Sequence, residues 1–388
     1  MNILLLCEGD AETRDCWSGS AKSVLDGLRE QGHSVRTADV DLRGADRWLA
    51  AGLSFSRKRD RWGAKYRLST EGFVLRSRRA NAVVRSQSSR PDAILQIGAT
   101  FHTALSATIP SFLYCDSNIR MAEYGAASGH TDASCLTGAE LARIRRREER
   151  VYANAAGIFT ISERLRRSFI EDFGVESGRV RAVHAGPNFD TQALASRVTA
   201  PGKGEHAPTV LFVGRQFERK GGDLLLAAFK AVRERVPDAR LVIIGPERLD
   251  VQQDGVDFLG FLEKDRADHR ARLLDAYANA SVFCLPTRFE PFGIVYLEAM
   301  YFGLPCVGTN AWAVPEMIAN EVSGYTVPVG DVNALSDRLV RLLADSSLAR
   351  RMGEAGRARA ANHFTWRAVV DRMTDTMERV VYTGSAVA

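Results

Sequence analysis

Short apolar runs rich in β-branched residues alternate with helix-length amphipathic segments along this chain. That alternation restricts it to an α/β architecture, a parallel sheet with helices on both faces. The spacing predicts strands over Asn2–Cys7, Ser34–Val40, Ala93–Ile97, Phe112–Cys115, Gly157–Ile161 and Val180–His184. Helices are predicted over Ser20–Gln31, Gly138–Ala155 and Ser162–Phe173, the last with Ser162 as N-cap. The pattern breaks at Val198–Pro208, which collects Pro and Gly without periodicity and reads as a linker. It then restarts with strands Thr209–Val213, Arg240–Ile244 and Ser281–Leu285 and helices Gly222–Arg235 and Phe292–Phe302. Both halves open with strand, polar loop and helix. The expectation is two facing, Rossmann-like, doubly wound domains, residues 1–197 and 209–365 joined by 198–208, with a ligand in the cleft at the carboxyl ends of the strands. Trp366 begins a last amphipathic helix, 366–388, expected to cross back to the first domain.

A chain of 388 residues accommodates two such domains, and 45% hydrophobic with 26% charged residues is ordinary for a globular protein. Disordered, collagen-like and coiled-coil classes are excluded. No run of 18 apolar residues exists, so no spanning helix is expected. The amino terminus has no basic n-region and only the short run Ile3–Cys7, so no cleaved signal is expected either. Cys7, Cys16, Cys115, Cys135, Cys284 and Cys306 show neither C-x-x-C spacing nor a Cys/His cluster, and they read as reduced, structural thiols in a reducing, cytoplasmic compartment. The net charge of +5 is unevenly placed. Arg43 to Arg90 holds 13 Lys/Arg against Asp46, Asp60 and Glu71, a surface suited to an anionic partner. The favoured partners are an acidic membrane surface or an acidic acceptor, with a solvated face as the bland alternative; no motif supports nucleic acid. Arg143, Arg145, Arg146, Arg147 and Arg150 add a second basic group, expected beside the cleft or on its rim.

The residues suited to chemistry cluster in the second half. Arg215 and Lys220 lie in the loop after its first strand, and a guanidinium with an ammonium could neutralise a diphosphate without a metal. The loop is not a P-loop, since Lys-Gly-Gly replaces Gly-Lys-Ser/Thr. Glu290 and Glu298 flank a helix start, with Pro291 suited to a first turn and Gly293 permitting close approach to amides that favour an anion. Eight residues place the carboxylates at most about 12 Å apart along a helix, beyond the ~5 to 9.5 Å of a glycosidase pair. They can bracket an extended, hydroxyl-bearing ligand. Asp39-Val-Asp41 has the form of a metal-binding D-x-D but ends an early strand and reads as a turn.

Val213-Gly-Arg215 with Lys220-Gly, Phe258-Leu-Gly260, Leu285-Pro286, the Glu290/Glu298 pair, Glu298-Ala-Met-Tyr-Phe-Gly-Leu-Pro-Cys-Val307, Pro315-Glu316, Gly324-Tyr-Thr-Val327 and Phe364-Thr-Trp366 follow one another in an order and spacing that resembles the retaining glycosyltransferases of the GT-B fold, glycosyltransferase family 4. The resemblance implies a nucleotide-sugar donor held by the second domain and an acceptor held mostly by the first. Arg215 and Lys220 would bind the donor diphosphate, Glu298 the ribose hydroxyls and Glu290 the sugar hydroxyls. Amides near Phe292, Gly293 and Ile294 would approach the phosphate, and the loop with Phe258 and Leu259 would flank the base. Gly19, in Ser18-Gly19-Ser20, matches the glycine-containing loop that approaches the reaction centre.

Three departures from the family stand out. One glycine stands in that loop where two are common, and Ala311-Trp-Ala-Val314 replaces glycines before Pro-Glu. Asp116-Ser-Asn118 occupies the place of a family histidine; Asp116 orients the acceptor or accepts a proton, or else caps a turn, and His102 is a second candidate. The resulting expectation is a metal-independent, retaining hexosyltransferase using a UDP- or GDP-sugar as co-substrate and no cofactor, in the cytoplasm or peripheral at the inner face of the membrane. The alternatives are a sugar-nucleotide epimerase or phosphorylase on the same fold, or a non-catalytic binder of anionic membrane or nucleic acid.

Overall fold

The computed structural model describes residues 1–14, 16–103, 108–129, 131–189, 207–247, 252–264 and 266–384. The chain divides into two compact units, Met1–Ala185 with the segment from Trp366, and Gly186–Thr365. Most of the expected linker 198–208 lies outside the described residues; Ala207 and Pro208 lead directly into the first strand of the second unit. Phe189 packs edge-on against Tyr301 and Phe302, which draws Gly186–Phe189 into that unit.

The first unit carries a parallel sheet of β1 (Asn2–Cys7), β2 (Ser34–Asp39), β3 (Ala93–Ile97), β4 (Ser111–Cys115), β5 (Gly157–Thr160) and β6 (Val180–Ala182) in the order β2-β1-β3-β4-β5-β6. Its helices are α1 (Ser20–Glu30), α2 (Gly44–Leu53), α3 (Arg59–Leu68), α4 (Thr70–Arg85), α5 (Ile119–Ala126), α6 (Gly138–Asn154) and α7 (Glu163–Glu171). β3 and β4 are buried along their whole length, as strands covered on both faces must be. Ser162 caps α7 by accepting the Leu165 amide at 3.1 Å.

The second unit repeats the scheme with β7 (Thr209–Val213), β8 (Arg240–Ile244), β9 (Val256–Gly260), β10 (Val282–Leu285), β11 (Cys306–Thr309) and β12 (Gly324–Val327), ordered β12-β11-β10-β7-β8-β9. Its helices are α8 (Gly222–Arg235), α9 (Ala267–Asn279), α10 (Ile294–Tyr301), α11 (Val314–Met317), α12 (Val332–Ala344) and α13 (Ser346–His363). The last helix, α14 (Trp366–Thr383), belongs to the first unit. Gly27 of α1 lies so close to Val370 that a Cβ there would stand 2.8 Å from its methyl, and Gln31 donates to Asp371 at 2.6 Å.

Three expectations need correction. Phe258 and Leu259 sit in edge strand β9 rather than in a loop; as a half-exposed edge its apolar pattern is weak. The helix expected from Phe292 begins at Ile294, because Gly293 takes a left-handed φ of +102° that no helical residue adopts. The basic stretch 43–85, which carried no predicted element, forms α2, α3 and α4.

In each sheet the strand order reverses once, between β1 and β3 in the first unit and between β7 and β10 in the second. At such a switch point the two following loops diverge to opposite faces and leave a crevice at the carboxyl ends of the strands.

Candidate functional site

In the second unit the loops flanking the switch point are 214–221, after β7, and 286–293, after β10. The first is wound into a tight turn by amide bonds from Lys220 to the Gln216 carbonyl (2.9 Å) and from Gly221 to that of Glu218 (3.0 Å). Gly221 has φ +75°, and a Cβ on it would stand 2.0 Å from the Pro286 carbonyl oxygen, so only glycine allows the two loops to touch. Backbone and side-chain bonds lock them together. The Arg288 amide donates to the Arg219 carbonyl (2.9 Å), Arg219 Nη1 to the Phe289 carbonyl (2.7 Å), and Arg288 forms a two-pronged pair with Asp223 (2.6 and 2.7 Å).

This clamp brings the Lys220 ammonium into an ion pair with the Glu290 carboxylate, both side chains nearly buried at 13% and 6% exposure. Burial holds the Lys220 pKa below the usual lysine range, partly opposed by Glu290. Gly293 abuts the same carboxylate; a Cβ there would lie 3.1 Å from Glu290 Cγ. α10 then starts with no side-chain cap on its first amides, which leaves the partial positive charge of a helix start beside Lys220. A cation, bare amides and a carboxylate in one place can hold an anion and an adjacent hydroxyl.

The remaining candidates of this unit are distributed around that centre. Phe292 is buried against Phe364, at a centroid distance of 6.2 Å, directly before Gly293. Glu298 lies on α10 with no exposed surface, its oxygens taken by Lys264 Nζ (2.6 Å) and the Tyr277 hydroxyl (3.0 Å). Arg215 turns away from Lys220. It pairs with Glu247 after β8 at 3.1 Å and stacks over Phe261 after β9 at 5.0 Å, with most of its side chain exposed. Phe258 and Leu259 approach this side of the sheet from β9. The two cations grouped by sequence therefore diverge, one to each neighbouring strand.

In the first unit Gly19 is the N-cap of α1 at φ +92°, after Trp17 and Ser18, which also have positive φ. Asp116 is the first residue beyond β4, at the carboxyl edge. Its side chain keeps exposed surface, yet the surrounding protein desolvates the carboxyl and pushes its pKa up to about 6, against hydrogen bonds from its own and the Ser117 amides. His102 does not join it. It borders a small void with Ser111, the start of β4, and Asn154, the end of α6, so it looks toward the opposite end of that strand. Burial lowers its pKa, and its Nε2 has no hydrogen-bond partner among the described residues. Asp39 accepts the amides of Gly9 (2.9 Å) and Asp41 (2.7 Å), the turn expected of Asp39-Val-Asp41.

Several residues at the two switch points escaped the sequence reading. In the first unit Arg76, almost fully buried on α4, pairs with Glu8 just past β1 at 2.6 Å, and the Thr100 hydroxyl beyond β3 donates to the same carboxylate. Burial raises the Glu8 pKa despite Arg76. The only signal was a polar residue directly after a strand. In the second unit Lys264 and Tyr277 cover Glu298. Trp312, within Ala311-Trp-Ala-Val314, takes φ +61°, stacks edge-on against Phe289 at 4.7 Å and donates from Nε1 to the Arg288 carbonyl at 2.7 Å. It thus occupies the backbone conformation that a glycine would adopt freely. Arg145 and Arg147, expected near a cleft rim, are consumed within the first unit by Glu123 (2.7 Å) and by the carbonyls of Leu68 and Ser69 (3.0 Å each). No group of three or more His, Cys, Asp or Glu suited to a metal ion occurs among the described residues.

Residues 198–359 match the family described as Glycosyl transferases group 1. A phosphatidyl-myo-inositol mannosyltransferase of Mycobacterium leprae is 34% identical over 238 residues, covering 60% of this chain and 61% of that protein. A GDP-mannose-dependent alpha-(1-6)-phosphatidylinositol monomannoside mannosyltransferase of Mycolicibacterium smegmatis is 32% identical over 243 residues, covering 58% and 63%. The chain thus spans about three fifths of the length of these relatives. The solved sucrose-phosphate synthase of Thermosynechococcus elongatus superposes with a TM-score of 0.70 at 20% identity, covering 99% of this chain and all of that one, a likeness of fold.

Proposed function

From the premise that residues 198–359 are a glycosyl transferases group 1 domain in a chain of GT-B fold, we propose that the protein transfers a hexosyl unit, mannose foremost, from a nucleoside diphosphate sugar to an acceptor hydroxyl with retention of configuration. The observation that carries this reading is the Lys220–Glu290 pair beside Gly293 at the switch point of the second unit. Lys220 and the first amides of α10 receive the donor diphosphate, and Glu290 a sugar hydroxyl next to it. As the bond from anomeric carbon to phosphate oxygen breaks, negative charge grows on the leaving diphosphate, where a fixed ammonium and helix-start amides stabilise it most. The acceptor oxygen bonds to the anomeric carbon on the face being vacated, and its proton passes to a leaving phosphate oxygen.

Glu298 binds the ribose once Lys264 yields one oxygen, and Arg215 with Phe261 flanks the base side. Asp116 serves the acceptor. The choice of mannose and of a lipid-linked acceptor leans on the names of the two mannosyltransferases, and a GDP-sugar on that of the second.

The test incubates purified protein with UDP-, GDP- and ADP-sugars, with and without chelator and phosphatidylinositol, and measures nucleoside diphosphate release and the anomeric configuration of the product. GDP release from GDP-mannose, undiminished by chelator and raised by the lipid, with an α-linked product, is expected. No release from any donor ends the reading. Donor consumed without acceptor, or only with inorganic phosphate, replaces it with an epimerase or phosphorylase.

A further inference from the structure

Helix α2 reverses the usual placement of apolar residues. Of its ten residues only Ala50 is buried, while Trp48, Leu49 and Leu53 are 78%, 52% and 57% exposed. With Ala45 and Gly52 they form a stripe at i, i+3/i+4 and i+7/i+8, the spacing that ordinarily faces a core. Phe55, 63% exposed, and Trp62 of α3 extend it. Their rings meet edge to face at 5.7 Å, and Trp62 Nε1 donates to the Ala51 carbonyl at 2.9 Å, so the patch is braced rather than loose. Single exposed apolar residues are ordinary, but a contiguous aromatic-rich ridge marks an interaction surface.

The cations beside the ridge indicate the partner. Arg61 and Arg67 of α3 are consumed by Glu140 (2.9 Å) and Asp132 (2.5 Å). Arg47, Arg57, Lys58 and Arg59, which flank the ridge, are all exposed and in no ion pair among the described residues. Trp and Leu on one side with unpaired Arg and Lys around them is the composition of an element lying in the plane of an anionic membrane surface. No described helix is long and apolar enough to cross a membrane.

We propose that α2, the 54–58 turn and α3 seat the first unit on an anionic lipid bilayer, with Trp48, Leu49, Leu53 and Phe55 entering the headgroup layer and Arg47, Arg57, Lys58 and Arg59 meeting lipid phosphates. This surface is independent of the donor site; with the transferase reading it brings the first unit to a lipid-linked acceptor.

The test is co-sedimentation of the full chain with phosphatidylcholine vesicles with and without phosphatidylglycerol, across a salt series, with tryptophan emission recorded in parallel. Binding that requires phosphatidylglycerol, weakens with salt and shifts emission to the blue is expected. Trp48→Ala with Leu53→Ser should weaken partitioning roughly tenfold or more, and Arg57→Glu with Lys58→Glu roughly fivefold or more per charge. Nucleotide-sugar binding measured without vesicles, and the melting temperature, should be unchanged in both, which reports that they fold. No sedimentation with anionic vesicles, equal sedimentation with phosphatidylcholine alone, or wild-type binding by both double variants overturns the proposal. So does a vesicle-free dimer, or a complex with RNA, that protects Trp48. Vesicle binding without turnover of any donor would overturn the transferase reading and leave this one standing.

Discussion

The Lys220 ammonium and the Glu290 carboxylate, seventy positions apart in the chain, meet as a nearly buried ion pair at the strand reversal of the second unit. Each would be expensive to bury alone, and each is tolerated because the other is present. The pair holds a cation and a hydroxyl acceptor ready beside the uncapped start of α10.

That mutual dependence separates stability from activity. Lys220→Met should lower donor turnover by more than roughly tenfold and destabilise the fold by about 3–5 kcal/mol, because it strands Glu290 in the interior. The double variant Lys220→Met with Glu290→Gln should recover most of the stability and none of the turnover, as read by denaturant unfolding and nucleoside diphosphate release. A double variant with wild-type turnover would remove the pair from the site.

The depressed Lys220 pKa gives two opposite pH trends. If Lys220 meets the donor diphosphate as proposed, donor affinity should fall with rising pH below the point where an ordinary lysine titrates, because deprotonation removes the ammonium. Folding stability should rise through the interval between that lowered value and the unfolded one, because there the unfolded chain holds the additional proton. Lys220→Arg, charged throughout, should flatten the alkaline loss of affinity measured by calorimetry. An identical limb in the arginine variant would assign the titration elsewhere.

Glu148 offers a check on the first unit. Its buried carboxyl, which accepts the Ile119 amide at 3.0 Å, is pushed up to about 7 by desolvation. The folded state therefore holds a proton that the unfolded chain loses near pH 4.5, so stability should decline as pH rises from about 4.5 to 7 and stay reduced above it. Glu148→Gln should remove that component and be more stable than wild type at pH 8 by about 1–3 kcal/mol. Parallel stability–pH curves for the two proteins would contradict this.

Trp312 trades backbone ease for a brace. Replacing it by glycine relieves a left-handed φ worth about 1 kcal/mol, but it removes the ring stacked on Phe289 and the bond to the Arg288 carbonyl. A net loss of about 1–3 kcal/mol with weakened donor binding is expected for Trp312→Gly, and Trp312→Phe should fall between it and wild type. If Trp312→Gly melts higher and binds donor unchanged, the ring has no bracing role.

The sequence by itself determined what is local. Strand runs such as Asn2–Cys7 and Thr209–Val213, the Ser162 cap and the glycines punctuating the second unit follow from periodicity and backbone sterics within a few residues. It also singled out Lys220, Glu290 and Gly293 as groups suited to an anion. The stretch holding α2 and α3 is dominated by its basic charge, although α2 carries helical apolar spacing; that its apolar stripe faces outward is a tertiary fact. Only the tertiary structure decided which groups meet: Lys220 with Glu290 but Arg215 with Glu247, Glu298 under Lys264, and Glu8 against Arg76 and Thr100. The physical reason is strand order. Whether β7 lies beside β10, or β1 beside β3, depends on crossovers spanning tens of residues, and no short-range pattern of side chains records which loops those crossovers set side by side.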